Sequence, residues 1–195
     1  MSELMAARSL ATRPVVTLGG DMVAHVKDTV FDPAAERITG FTLSGRSLLS
    51  GPLKQSLPWP GVHALGHDAV MIRDATVLAD TPVMVARREA LHGRVIGAKV
   101  LTDTGTEIGT VLDVVVEGGG SGRVAGFRIA PHRSLLPGAG RHRYPVFLPR
   151  GEQVAVSGRT LVVPLDSVRH VTADLPVFTA RLGLFHHHVR HEDAS

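Results

Sequence analysis

Cysteine is absent from the 195 residues. Disulfides, thiolate metal sites and a cysteine nucleophile are thereby excluded, and a reducing compartment suits the chain. Aromatic residues make up 4% of it, with one Trp and one Tyr, which leaves little to stack on the bases of a nucleic-acid strand. No apolar run approaches the roughly 20 residues that cross a bilayer as a helix. The opening residues, MSELMAARSLATR, carry Glu3 early and no continuous apolar stretch, so they do not read as a signal peptide. The expected location is cytoplasmic. A strong charge of either sign is also lacking. The formal net charge is +3, too small to create much long-range field. It is unevenly placed: residues 1–86 hold 7 Lys/Arg and 8 Asp/Glu, whereas residues 87–195 hold 14 and 10. The second half is therefore the candidate for an anionic partner.

What the chain does have is an internal repeat. RITGFTL at 37–43 returns as RVAGFRI at 123–129, RSLLSG at 46–51 as RSLLPG at 133–138, and VLADTPVM at 77–84 as VTADLPVF at 171–178. Matching blocks in one order mark a tandem duplication of one fold unit. The offset is 85 residues from Val15 to Val100, 86 from Arg37 to Arg123, 87 from Arg46 to Arg133, 92 from Val70 to Val162 and 94 from Ala79 to Ala173. Each change of offset falls in a loop-like stretch, where insertions are tolerated.

Each copy reads as five or six short strands at close spacing, the pattern of a small barrel or sandwich. The fold class is mainly β: two small barrels in tandem, related by a pseudo-twofold, with a short helical segment after each at 86–94 and 180–188. The expected divisions are 8–85, 93–178 and a His-rich tail, 179–195. Val15, Val26, Val30, Phe41, Leu43 and Val70 should form one core, and Val100, Val111, Val115, Phe127, Ile129 and Val162 the other. Asp103-Thr104-Gly105 supplies a hairpin turn, with glycine free to take positive φ. GGGSG at 118–122 reads as a second hairpin loop, because neither a helix start nor a Gly-Lys-Ser/Thr sequence follows it.

Few residue groupings suggest chemistry. His63, His67 and Asp68 lie close in sequence, but Gly66-His67-Asp68 is a turn pattern, and the second copy has Ser157-Gly158-Arg159 there. No catalytic centre is expected. His186, His187, His188 and His191 are weak metal candidates, lacking carboxylate or thiolate partners at defined spacing. No cofactor is expected. The basic stretch 131–150 is the polar feature of interest. It holds Arg133, Arg141, Arg143 and Arg150 and no acid. Planar guanidiniums in such a loop suit a partner's carboxylates, or phosphates.

The unit DTGTEIGTVLDVVVE followed by GRVAGFRIA resembles the PRC-barrel domain family. So do LPWPGVHALGHDAVMI at 57–72 and LPRGEQVAVSGRTLVV at 148–163. The first copy departs further: Gly20 keeps the turn, while Ala24 and His25 stand where the second copy has Gly109 and Thr110. The resemblance implies a small β-barrel whose role is protein docking rather than catalysis. Members include the cytoplasmic part of the photosynthetic reaction centre H subunit and the C-terminal half of the ribosome maturation protein RimM. The expectation is a non-enzymatic cytosolic adaptor that presents loops 44–56 and 131–147 to a protein partner, with homo-oligomerisation open. The alternative is an RNA- or ribosome-associated accessory factor using the basic loop.

Overall fold

Thr17 and Thr102 perform the same task in two places. Thr17 N–H donates to Asp21 O at 2.9 Å, Gly20 N–H donates back to Thr17 O at 2.9 Å, and Asp21 N–H also donates to Thr17 Oγ1 at 3.1 Å. Thr102, Gly105 and Thr106 make the same three bonds at 2.9, 2.9 and 3.1 Å. Gly20 and Gly105 close the turns at φ of 93° and 83°, a region that glycine enters without steric cost. The expected Asp103-Thr104-Gly105 turn is thus present, and its twin in the first copy is built alike.

These details come from a computed structural model that describes residues 3–32, 36–47, 50–80, 95–135, 144–151, 154–157 and 159–182. The turns join β2 (Pro14–Thr17) to β3 (Met22–Phe31) and β9 (Lys99–Thr102) to β10 (Glu107–Glu117). Both pairs carry one bulge at the same place. Val15 faces Ala24 and Val16 faces Met22, skipping Val23; Val100 faces Gly109 and Leu101 faces Glu107, skipping Ile108. A bulge bends and twists the strand that carries it, so both copies curve at the same point.

The correspondence extends through both sheets. β4 (Ile38–Ser44) and β5 (Pro52–Pro58) follow β3, as β11 (Val124–Pro131) and β12 (Val146–Pro149) follow β10. Phe41 faces Leu57 and Gly40 faces Pro58; Phe127 faces Leu148 and Gly126 faces Pro149. β7 (Val70–Ile72) runs parallel to β2, and β14 (Thr160–Val163) runs parallel to β9. The sheet orders are β6-β7-β2-β3-β4-β5-β8 and β12-β11-β10-β9-β14-β13, with β1 (Leu4–Ala6) added on β10. Here β6 is Val62–Leu65, β8 Ala79–Asp80 and β13 Ala155–Ser157.

Eleven of the twelve expected core residues are buried: Val15, Val26, Val30, Phe41, Leu43 and Val70 in one copy, and Val100, Val111, Val115, Phe127 and Ile129 in the other. Val162 is the exception. It is half-buried, while Leu161 and Val163 on either side are fully buried. The register gives the reason. Val15 faces Val70, but Val100 faces Leu161. The offset at this strand is 91, not 92, and a slip of one residue turns a side chain to the opposite face of a sheet.

The expected helix at 86–94 lies outside the described residues. After the second copy, residues 175–182 are helical, five residues ahead of the expected start at 180. Asp174 stands at the cap position and Pro176 in the first turn. A proline there forfeits no helical hydrogen bond. The helix buries Phe178 and Leu182. Phe178 lies 5.6 Å, centroid to centroid, from Phe147 and closes over Gly126, where an added Cβ would stand 2.6 Å from the phenyl Cζ and 2.4 Å from Leu148 O.

The chain divides into two compact units, residues 1–93 with 115–124, and residues 94–114 with 125–195. The first unit therefore includes the tip of the β10–β11 hairpin. Gly118 N–H donates to Glu3 O at 2.8 Å, and Gly119 and Leu65 exchange two backbone bonds at 2.8 Å. Ile38 N–H donates to Gly122 O and Val124 N–H to Glu36 O, both at 2.8 Å. Trp59 lies against Gly122, where a Cβ would fall 2.4 Å from indole Cζ2. GGGSG is a hairpin loop, as its sequence suggests, but one packed closely on its neighbours.

Candidate docking surface

The β11 strand ends in a turn that displays Arg133. His132 N–H donates to Ile108 O at 2.8 Å, Leu135 N–H donates to His132 O at 3.1 Å, and the Ser134 hydroxyl donates to Glu107 O. These bonds hold the base of the loop while Arg133 stays exposed. Arg150 is placed by the far end of β12. Its N–H donates to Ala125 O at 3.0 Å, and Nη1 donates to Gly151 O at 3.4 Å, leaving the side chain half-buried. Arg141 and Arg143 lie outside the described residues, as do His186, His187, His188 and His191. Tyr144, beside the loop, is 76% exposed. The geometry thus anchors both ends of the basic stretch on the second unit and displays Arg133.

The first copy's counterpart is Arg46, exposed in the turn where Gly45 N–H donates to Gly51 O at 3.2 Å. Arg46 lines an open cleft of about 440 Å³ with Thr17, Asp21, Met22, Arg73 and Asp74. Asp74 accepts from the Thr76 hydroxyl and, at 2.9 Å, from Thr76 N–H. The hydroxyl bond first, then the backbone bond, holds its carboxyl below the ordinary aspartate range, with Arg73 adding to the effect. A carboxylate with a depressed folded pKa adds stability above its unfolded pKa. That stability is lost as pH falls through the folded value. Parent and Asp74→Asn should therefore differ in Tm at neutral pH and converge in strong acid. A gap that is constant across the acid limb would remove the titration from the account.

His63 and His67 are exposed on or beside the β6–β7 hairpin, whose turn is closed by Gly66 N–H to Ala69 O at 3.0 Å. His67 Nδ1 meets its neighbour Asp68 at 2.8 Å, with the two side chains 70% and 94% exposed. Solvent on this scale leaves no pocket in which imidazole and carboxylate could act together. Among the described residues no group of three or more His, Asp or Glu is placed to hold a metal ion. Among the described residues the carboxylate buried most deeply is that of Asp113, whose Oδ1 accepts from Val114 N–H at 2.8 Å.

Two arginines far apart in the sequence meet in the structure. Arg37 and Arg123 form an antiparallel bridge, flanked by the Ile38–Gly122 and Val124–Glu36 bonds. Each residue in this pairing is the repeat equivalent of its opposite, 86 positions away. The signal was present, since arginine occupies this position in both copies. Nothing local to either segment shows that the two positions are adjacent.

These observations define a class: a duplicated, mainly β chain. The match to protein families agrees with that class and refines it. The family model of the PRC-barrel domain matches twice, over residues 2–78 and 89–172. The chain belongs to the PRC-barrel family and carries its domain in tandem. PRC-barrel domains are generally protein-interaction modules. No curated protein matches the sequence significantly. No helix among the described residues is long and apolar enough to cross a membrane.

Proposed function

We propose that this protein is a non-enzymatic cytosolic adaptor that docks a protein partner through its barrel loops. The divisions 8–85 and 93–178 would serve as two barrels related by a pseudo-twofold. Loops 44–56 and 131–147 would present the contact residues. The observation that carries this reading is the tandem match to an interaction module. Arg133, exposed on an anchored turn, would act with Arg141, Arg143 and Arg150 on carboxylates of the partner. The planar fork of arginine makes several bonds with little extra ordering, which favours it at interfaces.

The test replaces Arg133, Arg141 and Arg143 by Ser together, and Arg150 separately because its guanidinium already bonds to Gly151 O. Surface substitutions usually stay within about ±0.5 kcal/mol each, so the melting temperature of the triple variant should barely move. Affinity capture from the native cell, read by mass spectrometry, should recover a partner with the parent and lose it with the triple variant. Recovery of the same proteins by both would place the contact elsewhere. Recovery of RNA instead, released steeply by salt as counterions return, would replace the adaptor reading.

A further inference from the structure

Arg37 and Arg123 oppose each other across an antiparallel pair and are both exposed. Directly opposite residues project to one face of the sheet, with Cβ atoms about 4.5–5.5 Å apart, and like charges so placed destabilise the pairing. Among the described residues, neither guanidinium has a hydrogen-bond or ion-pair partner that would offset this. The backbone here is firmly held by two 2.8 Å bonds, so the chain keeps two cations side by side on a rigid strand pair. An anion seated between them would relieve the repulsion and be gripped by two planar forks.

The next residue along supplies an apolar contact. Gly122 has no side chain, and the Trp59 indole occupies the space that a Cβ would take. Phe41 backs the indole at 6.3 Å between ring centroids. Trp59 is half-buried, so part of it remains accessible to a partner. Tryptophan and arginine together are the residue types that dominate binding hot spots.

We propose that Arg37, Arg123 and Trp59 form a docking site for an acidic segment of a partner protein. Its carboxylates would bridge the two guanidiniums, and an adjacent apolar side chain would rest on the indole. A single indole is a poor stacking platform for successive bases, which favours a protein segment over a nucleic-acid strand. This inference rests on the docking reading and places a contact outside the basic loop.

Trp59 is the one tryptophan in the chain, so its emission reports on this site alone. The full chain is titrated with an acetylated peptide of repeating Glu-Glu-Leu, which carries no fluorophore. The parent should show a saturable change in Trp59 emission. The R37Q/R123Q variant should bind at least about tenfold more weakly, the scale expected when a charge-assisted bond is lost. R128Q/R159Q removes the same charge from exposed positions of the second unit and should bind as the parent does. Equal binding by R37Q/R123Q, or no saturable change at millimolar peptide, would overturn the site. So would tighter binding of a single-stranded oligouridylate with the same arginine dependence, because the ligand would then be nucleic acid. A cellular partner still captured by R37Q/R123Q, with peptide binding unaffected, would sink this site and leave the adaptor reading intact.

Discussion

Phe127→Ala is expected to lower the stability of the protein by about 3–5 kcal/mol, the usual cost of removing a buried aromatic ring. The ring is fully buried, on a strand held to β12 by the Phe127–Leu148 pairing. Collapse around the gap is restricted on one side. At Gly126, the preceding residue, even an added Cβ would stand 2.4 Å from Leu148 O and 2.6 Å from Phe178 Cζ, so neighbouring backbone has little room to shift. Phe41 occupies the equivalent place in the first unit, facing Leu57 and equally buried. Phe41→Ala should therefore cost about as much. Urea denaturation gives both values from the midpoint at unchanged slope. A loss below about 1 kcal/mol at either position would mean that the site refills and that the ring is not a keystone of its core.

The equality expected of these two phenylalanines was legible without a structure, because RITGFTL and RVAGFRI align residue for residue. So were the Gly20 and Gly105 turns, and the exposed placement of His67 and Asp68. The limits of legibility have physical causes. Val70 and Val162 align by sequence at an offset of 92, yet the sheet pairs Leu161 with Val100 where Val70 pairs with Val15. In TLVV, both Leu161 and Val162 are apolar, so composition alone cannot decide which one faces the core. Only the parallel pairing to β9 decides it. The helix at 175–182 did carry a start signal, Asp174 followed by Pro176. The repeat points to a start at 180 instead, because Ala180 and Arg181 match Ala86 and Arg87. The loop Gly118–Gly122 was hardest to read. Its contacts are Glu3, Ile38, Trp59 and Leu65, all distant in sequence, and a glycine-rich stretch looks the same whether it faces water or neighbouring backbone.

The same distance hid the arginine pair. Arg37 and Arg123 were recognised as repeat equivalents, which is a statement about duplication. Their adjacency follows from the hairpin tip being part of the first unit. The basic loop stands out because four arginines fall within residues 131–150 with no acid among them. A site made from one arginine of each copy has no sequence cluster, and its electrostatics exist only once the strands pair. Charge counted along the chain therefore ranks the basic loop first. Charge counted across paired strands brings Arg37 and Arg123 forward as well.

The glycines of that tip provide the second large expected effect, through a comparison of two substitutions. Gly119 and Gly122 both have positive φ, 70° and 58°, so alanine at either one carries a strain of about 1–2 kcal/mol. At Gly119 nothing lies within 4 Å of the added Cβ, and strain should be the whole cost. At Gly122 the Cβ would fall 2.4–2.7 Å from three atoms of the Trp59 ring. The indole is backed by Phe41 and cannot withdraw inward, so it must tilt out or the 122–124 segment must lift from Glu36 and Ile38. Overpacking of this kind adds about 1–3 kcal/mol. Gly122→Ala should thus cost roughly 2–5 kcal/mol in all, clearly more than Gly119→Ala. Its Trp59 emission should shift to the red as the ring meets water, whereas that of Gly119→Ala should match the parent. Equal costs with unchanged emission in both variants would show that Trp59 does not pack on Gly122, and would remove the apolar half of the proposed acidic-segment site along with it.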